Sequence, residues 1–566
     1  MPYRSPTAEF RFLLDHVVPF AAVAATPRFA EAGRDTVDAI LQGAARLCDE
    51  VMAPLNHAGD RHPARLENGV VRTSPGFADG WRAIAEGGWV GLSASPAHGG
   101  MGLPQTLATV VNDMMSGANI ALQLAPLLTQ GQIEALEHHA SDAIKALYLP
   151  RLVSGEWTGT MNLTEPQAGS DVGALTTRAE PQGDGTFAIT GQKIYITWGD
   201  HDFGGNVCHL VLARLPDAAP GPKGISLFMV PKFLPHADGS LGAQNALRVV
   251  SLEHKLGLHA SPTCVMSYEG ATGWLVGVPH GGLAAMFTMM NNARLGVGAQ
   301  GIGVAEAAFQ RAMAHAADRR QGRAPGTGTI AEHPDVRRML ATMKAEIFAA
   351  RAIALHCATA IDMATATGDA KWAARAAFLT PIAKAHGTDI GIEMASLGIQ
   401  VHGGMGFIEE TGAAQLLRDV RVTAIYEGTN GIQAMDLVGR KLADQGEAAI
   451  ALLDEVCDLA EQTRATLPAL ADPLWQAAES LRETTDWLLT RPAEDRNAVA
   501  VPYLRAFARV LGAEAHLRAA CAGNDTRRNL AAFFIRRILP EHAALLAHVR
   551  EGGADLMALS PADLAA

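Results

Sequence analysis

The chain has 566 residues, 48% hydrophobic and 18% charged, so it can bury a sizeable core and form several domains of about 150 residues each. Its 46 basic and 58 acidic residues give a net charge of -12, which argues against a nucleic-acid-binding protein but permits a local basic pocket. The six cysteines form no C-x-x-C pair and no H-E-x-x-H motif occurs, so we expect reduced thiols, no metal site and a cytoplasmic location. The apolar run from Val17 to Ala25 is too short to cross a bilayer, so no transmembrane segment is expected.

The predicted elements begin with an arm over residues 1–35, extended or loosely helical, whose apolar side chains dock on the main body. Residues 36–157 form an N-terminal helical domain, because apolar residues recur there at helical spacing. Within it, Gln105–Ala125 and Gln132–Leu152 are separate helix-like segments, interrupted at glycine and proline.

Residues 158–282 change to the alternating pattern of strands and predict a compact antiparallel β domain. Asp184-Gly185 is a good hairpin turn within it. The predicted strands are Thr186–Thr190, Lys193–Trp198, His209–Arg214 and Ile225–Val230.

Helical pattern returns over residues 283–445, a C-terminal helical bundle, and continues through an additional helical domain over residues 446–566. The fold class is therefore α+β, in the order helical, β, helical, helical. The βαβ alternation of a Rossmann sheet is absent from the pattern.

Glu427 lies in the segment Ile425–Gln433, where apolar and aromatic residues lead to one carboxylate. Gly428 frees the backbone, Thr429 and Asn430 can cap a helix, and apolar residues then recur at helical spacing. Apolar surroundings raise the pKa of a carboxyl group toward neutrality, which prepares a general base. A solvated loop glutamate is the competing interpretation.

The segment Met161–Asp171 contains small residues and a hydroxyl, which suit a backbone cradle for a phosphate with Ser170 as donor. Thr164 and the backbone near Leu163 could face a heteroaromatic ring. A capped turn between strands fits the same composition.

Gly296–Gly301 fits G-x-G-x-x-G, but the preceding residues are helical and no parallel-sheet pattern surrounds them, which disfavours a dinucleotide site. We expect a close-packed helix instead. Asn291, Asn292 and Arg294 begin it, and Arg294 is either a binding residue or a surface arginine.

Two further segments could hold phosphate or approach a ligand closely. Asp318–Arg323 places arginines at a helix end beside glycine, which suits a pyrophosphate or an ordinary solvated helix terminus. Gln400–Phe407 is glycine-rich, so its backbone can approach a ligand.

Together these segments resemble the acyl-CoA dehydrogenase family, in order, over roughly residues 85 to 442. Ile425–Thr429 resembles its catalytic-base segment, and Thr164–Asp171 resembles its flavin signature T-E-P-x-A-G-S-D without a gap. The arm and the last domain resemble a larger bacterial branch, which includes 3-methylmercaptopropionyl-CoA dehydrogenase.

The resemblance implies Glu427 as catalytic base, with FAD as cofactor; Ala293 occupies the position where some relatives carry the base instead. Implied substrate-binding residues are Ser170, Asn291, Arg294 and Gly428. Implied FAD-binding residues are Met161, Leu163, Thr164, Gly169, Ser170, Tyr195, Thr197, Arg319, Gln400, Gly404 and Thr429, with Arg319, Gln400 and Gly404 reaching across a dimer.

The implied reaction removes the α-proton of an acyl-CoA thioester by Glu427 while the β-hydride goes to flavin N5, giving a trans-2-enoyl-CoA. The implied acceptor is an electron-transfer flavoprotein, and the implied assembly is a homo-oligomer. The substrate could be 3-methylmercaptopropionyl-CoA or a medium- or long-chain fatty acyl-CoA. An acyl-CoA oxidase, a non-enzymatic acyl-CoA-binding scaffold and a Rossmann NAD enzyme remain as alternatives.

Overall fold

The fold is described from a computed structural model that covers residues 3–566; Met1 and Pro2 lie outside the described residues. The arm is helical rather than extended, because its first helix turns Phe10, Leu13 and Leu14 into the core. The first helices are α1 Thr7–His16, α2 Phe20–Ala24, α3 Arg34–Arg46, α4 Ala53–Arg61, α5 Phe77–Glu86, α6 Gln105–His139 and α7 Asp142–Val153.

A short hairpin, β1 Arg65–Glu67 with β2 Val70–Arg72, interrupts these helices. The sequence analysis missed it because three-residue, largely exposed strands carry little alternation. The predicted break near residue 130 is also wrong, since Gly131 lies inside α6. The break lies at Asn119, whose φ of -163° and ψ of 91° leave the helix and whose Oδ1 caps Leu122 N at 3.0 Å.

The main sheet has the order β10-β11-β5-β4-β6-β3, and β7 pairs with β11 and β6. Most pairs are antiparallel, as predicted, but β3 and β4 run parallel to β6 because the β4–β5 hairpin intervenes in the chain. The strands are β3 Thr158–Asn162, β4 Arg178–Pro181, β5 Phe187–Thr197, β6 Val207–Arg214, β7 Ile225–Pro231, β8 Phe233–Pro235, β9 Leu241–Gln244, β10 Leu247–Leu252 and β11 Thr263–Val276.

The next helices form the bundle that carries Glu427. The glycines of the G-x-G-x-x-G match lie inside a helix, as predicted: a Cβ on Gly298 would lie 2.6 Å from Ala383 O, so glycine permits close helix packing. These helices are α8 Gly282–Asp318, α9 Pro334–Thr367, α10 Ala370–His402, α11 Ala413–Val420 and α12 Asn430–Asp436.

The last helices pack back on this bundle and on α1 through charge pairs that are buried or partly buried. Arg509 on α16 bonds Glu346 on α9 at 2.6 Å, and Arg527 on α17 bonds Glu9 on α1 at 2.7 Å. These helices are α13 Glu447–Thr463, α14 Pro468–Leu489, α15 Ala493–Ala498, α16 Ala500–Ala522, α17 Asp525–Arg537, α18 Glu541–Glu551, α19 Ala554–Ala558 and α20 Pro561–Ala565.

Helix α9 is long and apolar enough to cross a bilayer, and 78% of its most apolar window is buried inside the fold. Core helices of globular proteins share these properties. The predicted absence of a transmembrane segment stays a prediction.

Candidate active site

Glu427 lies between a turn of 3-10 helix, Arg421–Ala424, and the start of α12. Its φ is +56°, a left-handed conformation that costs a residue other than glycine about 1–3 kcal/mol. Thr429 caps α12, because its Oγ1 accepts from Ile432 N at 3.3 Å. The loop must therefore be held in place by its surroundings.

Two cations hold the backbone of this loop. Arg294 Nε and Gln433 Nε2 donate to the carbonyl oxygen of Glu427 at 3.4 and 3.2 Å. Lys384 Nζ donates to the carbonyl oxygen of Gly428 and to Asn430 Oδ1, both at 2.9 Å. Both cations thus bind carbonyl groups, and within residues 3–566 the Glu427 carboxyl group makes no hydrogen bond.

Burial raises the pKa of Glu427 to about 7, although the positive charges of Arg294 and Lys384 act in the opposite direction. Burial also lowers the pKa of Lys384 to about 8. At neutral pH a large fraction of Glu427 is therefore ionised yet basic enough to accept a proton. Among residues 3–566, the backbone N–H of Glu427 has no acceptor and can donate to a ligand.

A cavity of about 440 Å³ opens beside Arg294, which is 5% exposed. Asn291 Oδ1 accepts from Arg294 Nη1 at 3.2 Å, and Asn292 Nδ2 donates to Glu134 Oε2 at 2.6 Å. Burial raises the pKa of Glu134 to about 7. The cavity is lined by Asn291, Asn292, Arg294, Leu295, Gln130, Glu134, Thr380, Pro381, Asp436 and Lys441, among others. Arg294 therefore contacts both this cavity and the carbonyl oxygen of Glu427.

The β domain carries seven of the FAD-binding candidates, on β3, on the loop after it and on β5, and we call this set the shelf: Met161, Leu163, Thr164, Gly169, Ser170, Tyr195 and Thr197. Ile194 N donates to the carbonyl oxygen of Thr164 at 2.9 Å, which places that loop beside Tyr195. The Tyr195 ring is 61% exposed at a φ of +60°, and a Cβ on Gly169 would meet nothing within 4 Å. The shelf therefore offers an open aromatic face and an accessible backbone.

A buried ion pair holds the shelf. Lys193 Nζ donates to Leu163 O at 3.0 Å and to Glu165 Oε1 at 2.8 Å. Burial alone would raise the pKa of Glu165, but Lys193 and hydrogen bonds from Thr176 and Thr177 bring it to about 2. Glu165 is thus a fixed anion that connects the loop to the strand.

Trp198, unlike the exposed Tyr195, is buried and donates to Ala121 O on α6 at 3.1 Å, so it belongs to the core.

Arg319, Gln400 and Gly404 form a separate, exposed group at the other end of the bundle. Arg319 follows α8 and lies about 37 Å along the helix axis from Arg294, at 1.5 Å per residue. His315 and His402 stack with ring centroids 4.5 Å apart, which brings the ends of α8 and α10 together. Within one chain, these residues do not join the Glu427 loop.

The structure therefore brings Glu427, Gly428, Thr429, Arg294 and Asn291 together, and it places the shelf residues on the β domain. Sequence reasoning missed the cation Lys384 and the buried Gln433 and Gln300. A lysine inside the apolar stretch of α10 is the signal that could have revealed Lys384, since lysine is rarely buried unless it is paired.

Sequence models of protein families match most of the chain. The acyl-CoA dehydrogenase N-terminal, middle and C-terminal domains match residues 34–156, 160–271 and 280–442. An "acetyl-CoA dehydrogenase C-terminal like" model matches residues 449–560.

Among similar proteins, a 3-methylmercaptopropionyl-CoA dehydrogenase of Ruegeria pomeroyi is 44% identical over 89% of this chain and 88% of its own length. A butyryl-CoA dehydrogenase of Syntrophomonas wolfei is 36% identical over 75% of this chain and 73% of its own. The structure of Caenorhabditis elegans ACDH-11 with C11-CoA matches 94% of this chain and 91% of its own, with a TM-score of 0.75 and 20% identity, and supports the fold alone.

Proposed function

The chain belongs to the acyl-CoA dehydrogenase family and is an FAD-dependent acyl-CoA dehydrogenase, and we propose that Glu427 is its catalytic base. The observation that carries this proposal is a carboxyl group with a pKa of about 7 whose neighbouring cations bind backbone carbonyls. The carboxylate is therefore free to take the α-proton of a thioester.

The proton becomes acidic enough only if the charge that develops on the thioester oxygen is stabilised. The backbone N–H of Glu427, which has no acceptor within residues 3–566, is the proposed donor to that oxygen. Arg294 and Lys384 hold the loop so that carboxylate and N–H act on the same substrate. Gly428 and Asn291 are proposed substrate contacts.

The shelf residues fit the isoalloxazine ring and phosphates of FAD. The exposed ring of Tyr195 supports a stacking role, and the open backbone at Gly169 with the exposed hydroxyl of Ser170 supports phosphate binding. Met161, Leu163, Thr164, Thr197 and Thr429 are proposed to complete the contacts. FAD, when bound, supplies the two-electron oxidation that removes hydrogen from the β-carbon.

We propose 3-methylmercaptopropionyl-CoA as the substrate, because the Ruegeria pomeroyi relative is 44% identical over nearly its whole length. A straight-chain acyl-CoA is the second candidate, supported by the butyryl-CoA dehydrogenase at 36% identity. The cavity beside Arg294 is the proposed path of the CoA arm.

Anaerobic mixing of the FAD-loaded enzyme with a panel of thioesters tests both the function and the substrate. The panel contains 3-methylmercaptopropionyl-, butyryl-, octanoyl- and palmitoyl-CoA. Fastest flavin bleaching by the thioether substrate is expected, whereas fastest bleaching by butyryl-, octanoyl- or palmitoyl-CoA would replace that substrate with a fatty acyl-CoA. Absence of bleaching by every member would refute the proposed chemistry.

We further propose an electron-transfer flavoprotein as the acceptor, as is usual for this family. Reoxidation of the reduced enzyme by air as fast as by such a flavoprotein would instead indicate an acyl-CoA oxidase.

We also propose that the enzyme is a cytoplasmic homodimer that works in fatty acid or thioether catabolism. The free cysteines support a reducing compartment.

The separation of Arg319, Gln400 and Gly404 from the Glu427 loop supports the dimer, because these FAD-binding candidates would then serve the partner's site. Sedimentation of the FAD-loaded enzyme as a monomer would contradict this assembly.

A further inference from the structure

A chain of hydrogen bonds runs from Tyr426, the residue before Glu427, into the interior of the protein. The Tyr426 hydroxyl donates to Gln300 Oε1 on α8. Gln300 Nε2 donates to Gln123 Oε1 on α6 at 2.8 Å, and Gln123 Nε2 donates to Asn112 Oδ1 at 3.1 Å. Gln300, Gln123 and Asn112 are all buried. Amides are costly in such a place unless every member is satisfied.

This hydrogen-bond chain ends at a backbone carbonyl. Asn112 Nδ2 donates to Gln130 Oε1 at 3.2 Å, and Gln130 Nε2 donates to Trp89 O at 3.1 Å. A carbonyl oxygen can only accept, so the amide nitrogen of Gln130 must face Trp89. That choice fixes the orientation of each amide in turn. The last consequence is that Tyr426 donates its hydroxyl proton inward, to Gln300.

We propose that Gln300, oriented by this chain of hydrogen-bonded amides, is a positioning residue that holds Tyr426 and thereby the backbone of the Glu427 loop. The proposal rests on the proposed role of Glu427 as base. Tyr426 is the covalent neighbour of a residue in a left-handed conformation, so the anchor acts on the peptide that sets the direction of the carboxylate.

The other anchors of the loop explain why this one matters. Arg294, Gln433 and Lys384 bind the carbonyls of Glu427 and Gly428, which lie on the C-terminal side of the Glu427 Cα. On the N-terminal side, the side-chain anchor is the Tyr426 hydroxyl. Burial also raises the pKa of that hydroxyl, so it stays a donor at physiological pH. Two fixed sides define the position of the base.

A double-mutant cycle in the FAD-loaded enzyme tests the proposal, with Tyr426→Phe, Gln300→Met and the double variant. If Gln300 acts through the hydroxyl, Gln300→Met lowers kcat by about tenfold in the wild type and has no further effect in Tyr426→Phe. KM is expected to stay within about twofold. The pH below which kcat falls (the lower limb of the kcat–pH profile) is expected to decrease, because a loosened loop exposes Glu427 to water and lowers its pKa.

Two further variants separate positioning from packing. Gln132→Met removes another buried amide of α6, one whose Oε1 has no partner within residues 3–566, and should leave kcat and the pH profile unchanged. Gln300→Glu keeps an oxygen for the Tyr426 hydroxyl and, protonated, a donor to Gln123, so it should restore most of the turnover that Gln300→Met loses.

Independent, multiplying effects of Tyr426→Phe and Gln300→Met on kcat would overturn the proposal. So would equal losses of turnover in Gln300→Met and Gln300→Glu, or a wild-type kcat in Gln300→Met. If the wild type itself bleaches with no acyl-CoA, the proposed function fails instead, and the two failures are thus distinguishable.

Discussion

Glu165 and Glu427 each lie in a loop near a lysine, yet their carboxyl groups have opposite properties. The pKa of Glu165 is about 2 and that of Glu427 is about 7. Lys193 binds the carboxylate of Glu165 directly at 2.8 Å, whereas Lys384 binds the backbone carbonyl of Gly428, the residue after Glu427, at 2.9 Å. The same residue type is thus a structural anion in one loop and the proposed proton acceptor in the other.

The difference teaches that the placement of hydrogen bonds, rather than burial or nearby charge alone, separates the two roles. Glu165 accepts bonds from Thr176 N at 2.7 Å and Thr177 N at 3.0 Å besides the lysine. Each of these bonds stabilises the ionised form and lowers basicity. Within the described residues the Glu427 carboxylate accepts no such hydrogen bonds, so its ionised form is less stabilised and it accepts a proton more readily.

The largest expected effect is on turnover in Glu427→Gln. The amide cannot accept a proton, so kcat should fall by about 10³–10⁴-fold or more while the FAD absorbance remains. Steady-state turnover with an artificial electron acceptor measures it. Near-normal activity in protein of wild-type flavin content would contradict the base assignment.

The converse change, Glu165→Gln, should act on stability. It leaves Lys193 buried without its counter-ion, and breaking a buried pair in this way costs about 3–5 kcal/mol. Denaturant unfolding of the apoprotein measures the free energy. A loss of kcat without loss of stability would mean that Glu165 takes part in the chemistry and that the comparison is wrong.

Since Glu427 must be ionised to accept a proton, kcat/KM should rise with pH and level off above about pH 7. Below that pH it should fall by about tenfold per unit, because protonation removes the active form. A lower limb near pH 4.5 would show that Glu427 behaves as a solvated glutamate.

Lys384→Met should produce the smallest change and sharpen the comparison. Removing the positive charge raises the pKa of Glu427 further, so the lower limb of the kcat/KM profile should move to higher pH by less than about one unit. Arg375→Met, which removes a cation that lies elsewhere on the same helix and pairs with Glu455, is the matched control and should leave the pH dependence unchanged. A shift to lower pH in Lys384→Met would show that loosening of the loop outweighs loss of the charge.

Sequence alone predicted the α+β order of elements and the helical nature of Gly296–Gly301, because both depend on local pattern. It did not predict the break at Asn119 or the parallel pairing of β3 with β6, since both depend on contacts between distant segments. Domain boundaries and the assigned site residues stay predictions.

Within the site, sequence indicated Arg294 as a candidate but not its bond to the Glu427 carbonyl, which joins residues 133 positions apart. Lys384, Gln300 and Gln433 were missed for the same reason. Their side chains gain a role only when α8, α10 and α12 come together, and periodicity contains no information on that arrangement.

The bond between Glu9 on α1 and Arg527 on α17 joins residues 518 positions apart. During synthesis, Glu9 leaves the ribosome about 26–100 s before Arg527, at 5–20 residues per second. For that time the apolar face of Phe10, Leu13 and Leu14 lacks its final covering. In the nascent chain this apolar face therefore reaches its final packing only after the last helices dock.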